Sequence, residues 1–125
     1  MGKKYLELSD ISAYNKAFSF ANYIWDIVIK WDYFKKDTIG KQFVRAADSV
    51  SANIAEGFGR YSKKDKIRFY RISLGSLQEC KDWINKSCER RLIEKDLLSK
   101  ISNDLKELEI EIYHLIKYTN EKLKF

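Results

Sequence analysis

The chain has 125 residues, of which 45% are hydrophobic and 34% are charged, and its formal net charge is +6. This length fits one domain over residues 1–125, and the composition excludes a disordered chain; no apolar stretch approaches the roughly 20 residues of a membrane span. Proline is absent, which favours long helices because proline interrupts them.

The first predicted helix spans residues 10–31, with Ser9 or Asp10 as its N-cap. Apolar residues recur along it with helical spacing, and we expect this stripe to form the core seam. The seam consists of Ile11, Tyr14, Phe18, Ala21, Trp25 and Val28. A second apolar stripe lies beside it and consists of Ala13, Ala17, Phe20, Ile24, Ile27 and Trp31.

The second predicted helix spans residues 38–58 behind Asp37 and has a slim profile. Small residues let two helix backbones approach closely, so we interpret those on this helix as a packing seam. They are Ala46, Ala47, Ser49, Ser51, Ala52 and Ala55. Gly57 and Gly59 follow, and they tolerate the left-handed backbone that often ends a helix.

The third predicted helix spans residues 63–89, behind Ser62, which with Asp65 approximates a capping box. Two apolar stripes run along it, about 100° apart, so that its apolar face, like that of the first helix, is wider than a monomeric bundle requires. The stripes are Phe69, Ser73, Ser76, Cys80, Trp83 and Tyr70, Leu74, Leu77, Ile84. Such a face belongs either to a very well-buried helix or to a second interface. We favour the interface, and hence a homo-oligomer.

The fourth predicted helix spans residues 94–122, and its seam again has helical spacing. The seam consists of Leu98, Ile101, Leu105, Leu108, Ile112 and Leu115. Because the connections between the four helices are short, we expect an all-α, antiparallel up-down four-helix bundle.

Catalytic and metal-binding groups are scarce. His114 is the only histidine, and its place beside the fourth seam predicts a partly buried helix histidine. It forms one Glu-x-x-His pair with Glu111, whereas a di-metal bundle needs two. The segment 57–59 follows a helix rather than a strand, which argues against a phosphate loop. We therefore expect no enzyme, no metal and no cofactor.

Cysteine usage and the N-terminus indicate the compartment. Cys80 and Cys88 are eight residues apart on one predicted helix, which separates them by about 12 Å, too far for a disulfide. Residues 1–5 lack the apolar region of a signal peptide. A reduced, cytoplasmic protein is the expectation.

Positive charge is concentrated between residues 60 and 71, which carry +5 of the total +6. The basic residues are Arg60, Lys63, Lys64, Lys66, Arg68 and Arg71, against the single acid Asp65. Most of them are expected to share one helix face, and the interleaved Tyr61 and Tyr70 suit stacking on bases. A stripe that binds the phosphates of nucleic acid and an ordinary solvated helix face are equally favoured.

Two segments resemble a known family. The stretch RAADSVSANIAEGFGR from Arg45 to Arg60 resembles the signature of four-helix-bundle proteins encoded in intervening sequences of bacterial 23S ribosomal RNA genes. The stretch FYRISLGSLQE from Phe69 to Glu79 resembles that family's second block. The resemblance implies a ring-like homopentamer. It also implies kinship with the accessory variability protein of diversity-generating retroelements, a pentamer whose basic surface engages nucleic acid and a reverse transcriptase.

By resemblance, the motif positions in this chain are Arg45, Asn53, Glu56, Gly57 and Arg60. One physical interpretation is that Glu56 and Arg45 make polar contacts that fix the register of helices or subunits. The function that follows is a non-enzymatic, oligomeric module that binds nucleic acid, RNA foremost, through the basic stripe. The alternative is a protein-interaction scaffold that uses the apolar faces of the first and third helices.

Overall fold

A computed structural model describes residues 5–125. Residues 1–4, on which most of the signal-peptide argument depends, lie outside the described part. In the part described, the chain folds as a four-helix bundle without strands, which confirms the predicted fold class. The long helices are α1 (Ser12–Val28), α2 (Lys41–Phe58), α3 (Lys63–Glu89) and α4 (Lys95–Lys122). None of these helices combines the length and the hydropathy that a membrane crossing requires.

The start of α1 differs from the prediction. Residues 8–10 form a 3-10 turn, in which the backbone N–H of Glu7 donates to Asp10 Oδ2 at 2.8 Å. The residue before α1 is Ile11, whose backbone is extended. Ile11 is therefore the N-cap residue of α1, in place of Ser9 or Asp10. The carboxylate of Asp10 is used within the preceding turn.

The connection between α1 and α2 is largely helical. Asp32 Oδ1 accepts a hydrogen bond from the backbone N–H of Lys35 at 3.2 Å and caps a short helical turn. Hydrogen bonds from Lys35 hold the pKa of the Asp32 carboxyl below its ordinary value. The turn continues through a π-helical segment, Lys36–Gly40, into α2. Asp37 lies inside this segment, so the prediction that a helix begins behind it is wrong.

The core face of α1 takes residues from both apolar stripes: the second stripe is buried from Ala13 to Ile24, and Ile11, Ala21 and Val28 of the predicted seam are buried as well. Ala17 and Ile24 have no exposed surface, whereas Phe18 and Trp25 of the predicted seam are 52% and 51% exposed. Helical periodicity could not choose between the stripes because both have the same spacing. As a result, α1 presents Phe18, Trp25 and the nearby Ile29 on its outer face.

The wide apolar face of α3 is mostly used inside the bundle. Tyr70, Leu77, Cys80 and Ile84, which come from both predicted stripes, are at most 1% exposed. The expectation of a second interface therefore finds little free surface on α3, and the alternative interpretation, a very well-buried helix, fits it better. Ile72 is the large apolar side chain of α3 that stays exposed.

Small residues lie where α2 packs against α3, although only Ala46 and Ala47 of the predicted packing seam are buried. The buried hydroxyl of Ser73 donates to the carbonyl of Val50 at 2.8 Å, which ties α3 to the middle of α2. Gly57 lies beneath the ring of Tyr70. The predicted left-handed turn at the end of α2 is absent, since Gly59 has a φ of −78°. Gly57 is needed for the close approach of the helices rather than for its backbone conformation.

The remaining helix ends agree closely with prediction. Ser62 Oγ accepts from the backbone N–H of Asp65 at 3.1 Å and caps α3.

Along α4 the predicted seam is buried from Ile101 to Ile112, but the buried face then continues to Ile116 instead of Leu115. A helix with 3.6 residues per turn drifts away from a 3–4 repeat in this way.

Candidate functional site

The structure places part of the predicted basic stripe in a groove between two helices. We call this the basic groove, and it encloses about 540 Å³. The residues that line it come from α3 and α4: Lys63, Lys64, Ile67, Arg71, Tyr113, Ile116, Lys117 and Asn120. Among these lining residues there is no carboxylate, so the groove concentrates positive charge.

The groove exists because α3 and α4 are antiparallel. The first turns of α3 therefore lie beside the last turns of α4. Residues four or seven apart share a helix face, which places Lys64 and Arg71, two turns apart, on one wall and Tyr113 and Lys117, one turn apart, on the other. Two helix faces that are unremarkable by themselves thus combine into one cationic surface.

Lys63 has a structural role at the end of the groove. Its ammonium donates to the backbone carbonyls of Asn120 and Leu123, at 3.2 and 3.3 Å. These carbonyls belong to the end of α4 and the residue that follows it, where carbonyls lack helical partners and where positive charge is favourable. Lys63 therefore stabilises the end of α4 and has less capacity to bind a ligand than sequence reasoning assigned to it.

Lys64, Arg71 and Lys117 are the accessible cations of the groove. All three are exposed, and within residues 5–125 no ion pair joins any of them to a carboxylate. A ligand anion would not have to displace an internal partner from these side chains. They are the residues best placed to neutralise phosphates.

Arg60 and Arg68 form a separate cluster around Phe69. Their guanidinium carbons lie 4.7 and 4.5 Å from the centroid of the Phe69 ring. Arg68 also pairs with Asp65 at 3.1 Å, and Arg60 pairs with Glu56 at 2.7 Å. The predicted stripe thus divides in two, because Arg68 contacts Asp65 and Phe69 and does not line the basic groove.

Lys66 faces away from the groove. Its ammonium donates to the carbonyl of Phe58 at 2.6 Å and lies 5.5 Å from the centroid of the Phe58 ring. Burial lowers the pKa of Lys66. Its contact caps the last turn of α2, which gives Lys66 a structural role.

The aromatic residues of the site also differ from those predicted. Tyr70 is 1% exposed, so its ring is not accessible to a base. Burial raises the pKa of Tyr70 to about 12, although a hydrogen bond with Thr119 opposes the shift. Tyr61 is 87% exposed on the α2–α3 turn, outside the residues that line the groove. The aromatic side chain of the groove is Tyr113, which sequence reasoning missed. Its only sequence signal is the spacing of four to Lys117.

The family-motif positions have local contacts. Glu56 pairs with Arg60 rather than with Arg45, which is exposed and has no ion pair among the residues described. The side-chain amide of Asn53 donates to the carbonyl of Ser49 at 2.8 Å. Gly57 packs against α3, as described above. Of these positions, Gly57 is the one whose residue type the structure explains best, because any side chain there would clash with Tyr70.

The groups that catalysis would use are dispersed. His114 is exposed, contrary to the expectation of partial burial. In the described ranges, His, Cys, Asp and Glu form no group of three or more that could hold a metal ion. Cys80 and Cys88 are free thiols, and burial raises the pKa of Cys80 to about 12, which disfavours the reactive thiolate.

Comparisons with known proteins identify the family. A solved structure of a protein with unknown function from the S23 ribosomal protein family of Bacteroides thetaiotaomicron VPI-5482 has a similar fold, with a TM-score of 0.75. It is 24% identical and covers 84% of this chain and 98% of its own. No curated protein matches. The family model described as 23S rRNA-intervening sequence protein matches residues 9–121. The chain therefore belongs to the family of 23S rRNA-intervening sequence proteins.

Proposed function

We propose that this chain is a non-enzymatic, self-associating module that binds nucleic acid along the basic groove. The observation that supports this most strongly is the convergence of Lys64, Arg71 and Lys117 from two helices on a groove without carboxylates. Cations that neutralise phosphates release counterions, which drives association. RNA is the first nucleic acid to test, since the family is named for intervening sequences of ribosomal RNA.

Self-association would place several copies of the basic groove on one particle. Phe18 and Trp25 of α1 and Ile29, the residue after it, form an exposed apolar patch beside a groove of about 260 Å³ that reaches Val44 of α2. Exposed apolar patches of this kind commonly mark protein interfaces. The family resemblance suggests five copies, and five basic grooves on one particle would raise avidity for a long polyanion.

A protein-interaction scaffold is the second candidate function, and the same patch on α1 favours it. In this case the patch would bind a different protein rather than another copy of the chain. Helix α3 offers little apolar surface to a partner, because its apolar stripes are mostly buried. Under either candidate, the free thiols of Cys80 and Cys88 suit a reducing compartment such as the cytoplasm.

The experiment that tests the proposal is a titration of a structured RNA of about 30 nucleotides into the purified protein, at low and near-physiological salt. Light scattering on the same sample reports the oligomeric state. Tight binding that weakens steeply with salt supports the nucleic-acid module. If the oligomer is intact and no RNA binds at either salt concentration, the scaffold is favoured instead.

A further inference from the structure

The basic groove contains more than positive charge. Its floor is apolar, formed by the half-buried Ile67 and by Ile116, which is 8% exposed. One wall carries the ring of Tyr113, which is 52% exposed. Lys64, Arg71 and Lys117 line the groove around these apolar groups.

The apolar floor and the exposed ring distinguish between two forms of RNA. A duplex keeps its bases stacked and offers proteins mainly its phosphates and sugars, for which cations alone suffice. An unpaired nucleotide also exposes the flat face of its base, and such faces stack on aromatic side chains. A volume of about 540 Å³ is within the range of roughly 300–1,000 Å³ that is typical of small-ligand pockets.

From this combination we infer that the basic groove binds an unpaired nucleotide, with its base against Tyr113 and its flanking phosphates on Lys64, Arg71 and Lys117. This inference rests on the proposed function and narrows it to single-stranded or looped RNA. Stacking on a ring tolerates any base, because every base has a π-face. The module would therefore select RNA by the absence of pairing rather than by sequence.

The test compares two RNA probes with equal numbers of phosphates, an unpaired oligouridylate and a blunt-ended duplex, by fluorescence anisotropy. Two variants separate stacking from simple burial. Tyr113→Phe keeps the aromatic face, whereas Tyr113→Leu keeps only the apolar surface. Tyr118→Leu is the matched control, since Tyr118 is a half-exposed tyrosine of the same helix that does not line the groove. Helical circular dichroism confirms that each variant is folded.

We expect the wild-type protein to prefer the unpaired probe. Tyr113→Leu should weaken binding of that probe by about tenfold, in line with the loss of one stacked base, and leave duplex binding unchanged. Tyr113→Phe and Tyr118→Leu should stay within about twofold of wild type. Equal affinity for both probes, or equal weakening of both by Tyr113→Leu, would overturn the inference but leave the proposed function standing. Failure of both probes to bind would remove the proposed function as well.

Discussion

The ring of Tyr70 lies directly on the α-carbon of Gly57, where α3 crosses the end of α2. A β-carbon at position 57 would lie 2.7 Å from Tyr70 Cε1 and 2.9 Å from the carbonyl oxygen of Lys66. The Tyr70 ring is itself buried, so it has little room to move away. This contact gives the most distinctive glycine of the family motif a physical reason, namely the close approach of two helices.

Gly57→Ala should therefore destabilise the protein, even though alanine is the better helix former. We expect the free energy of unfolding to fall by about 1–3 kcal/mol, the usual range for overpacking a core. Gly75→Ala is the control: nothing lies within 4 Å of its added β-carbon, so the change should stabilise α3 by about 0.5–1 kcal/mol. Urea denaturation measures both. Equal effects of the two substitutions would contradict the contact.

Alkaline pH should weaken the fold through buried acids. The folded-state pKa of Tyr70 is about 12 against an ordinary 10.0, and that of Cys80 is about 12 against 9.0. A raised pKa means that the stabilisation is complete below the ordinary value and is lost as pH rises through the folded value. Urea midpoints should therefore fall between pH 9 and 12 as these two groups ionise.

Tyr70→Phe isolates one of these contributions. It should make the decline between pH 10 and 12 shallower, because the variant has no phenol proton to lose on unfolding. Tyr61→Phe is the control, since that ring is 87% exposed. Parallel declines in the wild-type protein and in Tyr70→Phe would show that ionisation of Tyr70 is not linked to unfolding.

Self-association should depend on the exposed face of α1. Light scattering should give about 74 kDa if five copies of the 14.8-kDa chain assemble. Replacing Phe18 and Trp25 together by serine should lower this mass towards that of the monomer, because both side chains are half-exposed and contribute most to the patch. Tyr61→Ser, on the α2–α3 turn, should leave the mass unchanged. A monomeric wild-type protein, or a double variant of undiminished mass, would argue against this interface.

Much of the fold could be predicted because helix periodicity and capping are local properties. The bounds of α3 were predicted as 63–89 and observed as Lys63–Glu89. The orientation of α1 could not be predicted, since two apolar stripes have equal spacing and only packing decides which residues of each stripe are buried. The turn after α3 was also beyond local reasoning, because Arg91 adopts the left-handed conformation, with a φ of 62°, where glycine is usual.

In the candidate site, too, local features could be predicted from the sequence and tertiary contacts could not. The basic run of residues 60–71 is visible in the sequence, but its separation into a groove and an arginine cluster depends on tertiary neighbours. Lys117 and Tyr113 are more than 40 residues from Arg71 along the chain, and only the antiparallel packing of α4 brings them beside it. Charge counting likewise could not show that Lys66 is turned towards the carbonyl of Phe58.

Whether this chain binds nucleic acid in the basic groove is best tested by the salt dependence of RNA affinity after charge reversal in the groove. Lys64→Glu with Arg71→Glu removes two accessible cations. Lys30→Glu with Lys95→Glu makes the same change in net charge at the opposite end of the bundle, where both lysines are exposed.

Anisotropy titrations over a range of salt concentrations measure affinity and its salt slope together. If nucleic acid binds in the basic groove, the groove variant should bind at least about tenfold more weakly, with a slope of log affinity against log salt that is shallower by about one to two units. The control should retain both affinity and slope. If both pairs of substitutions weaken binding equally, or neither does, the basic groove is not the site at which this chain binds nucleic acid.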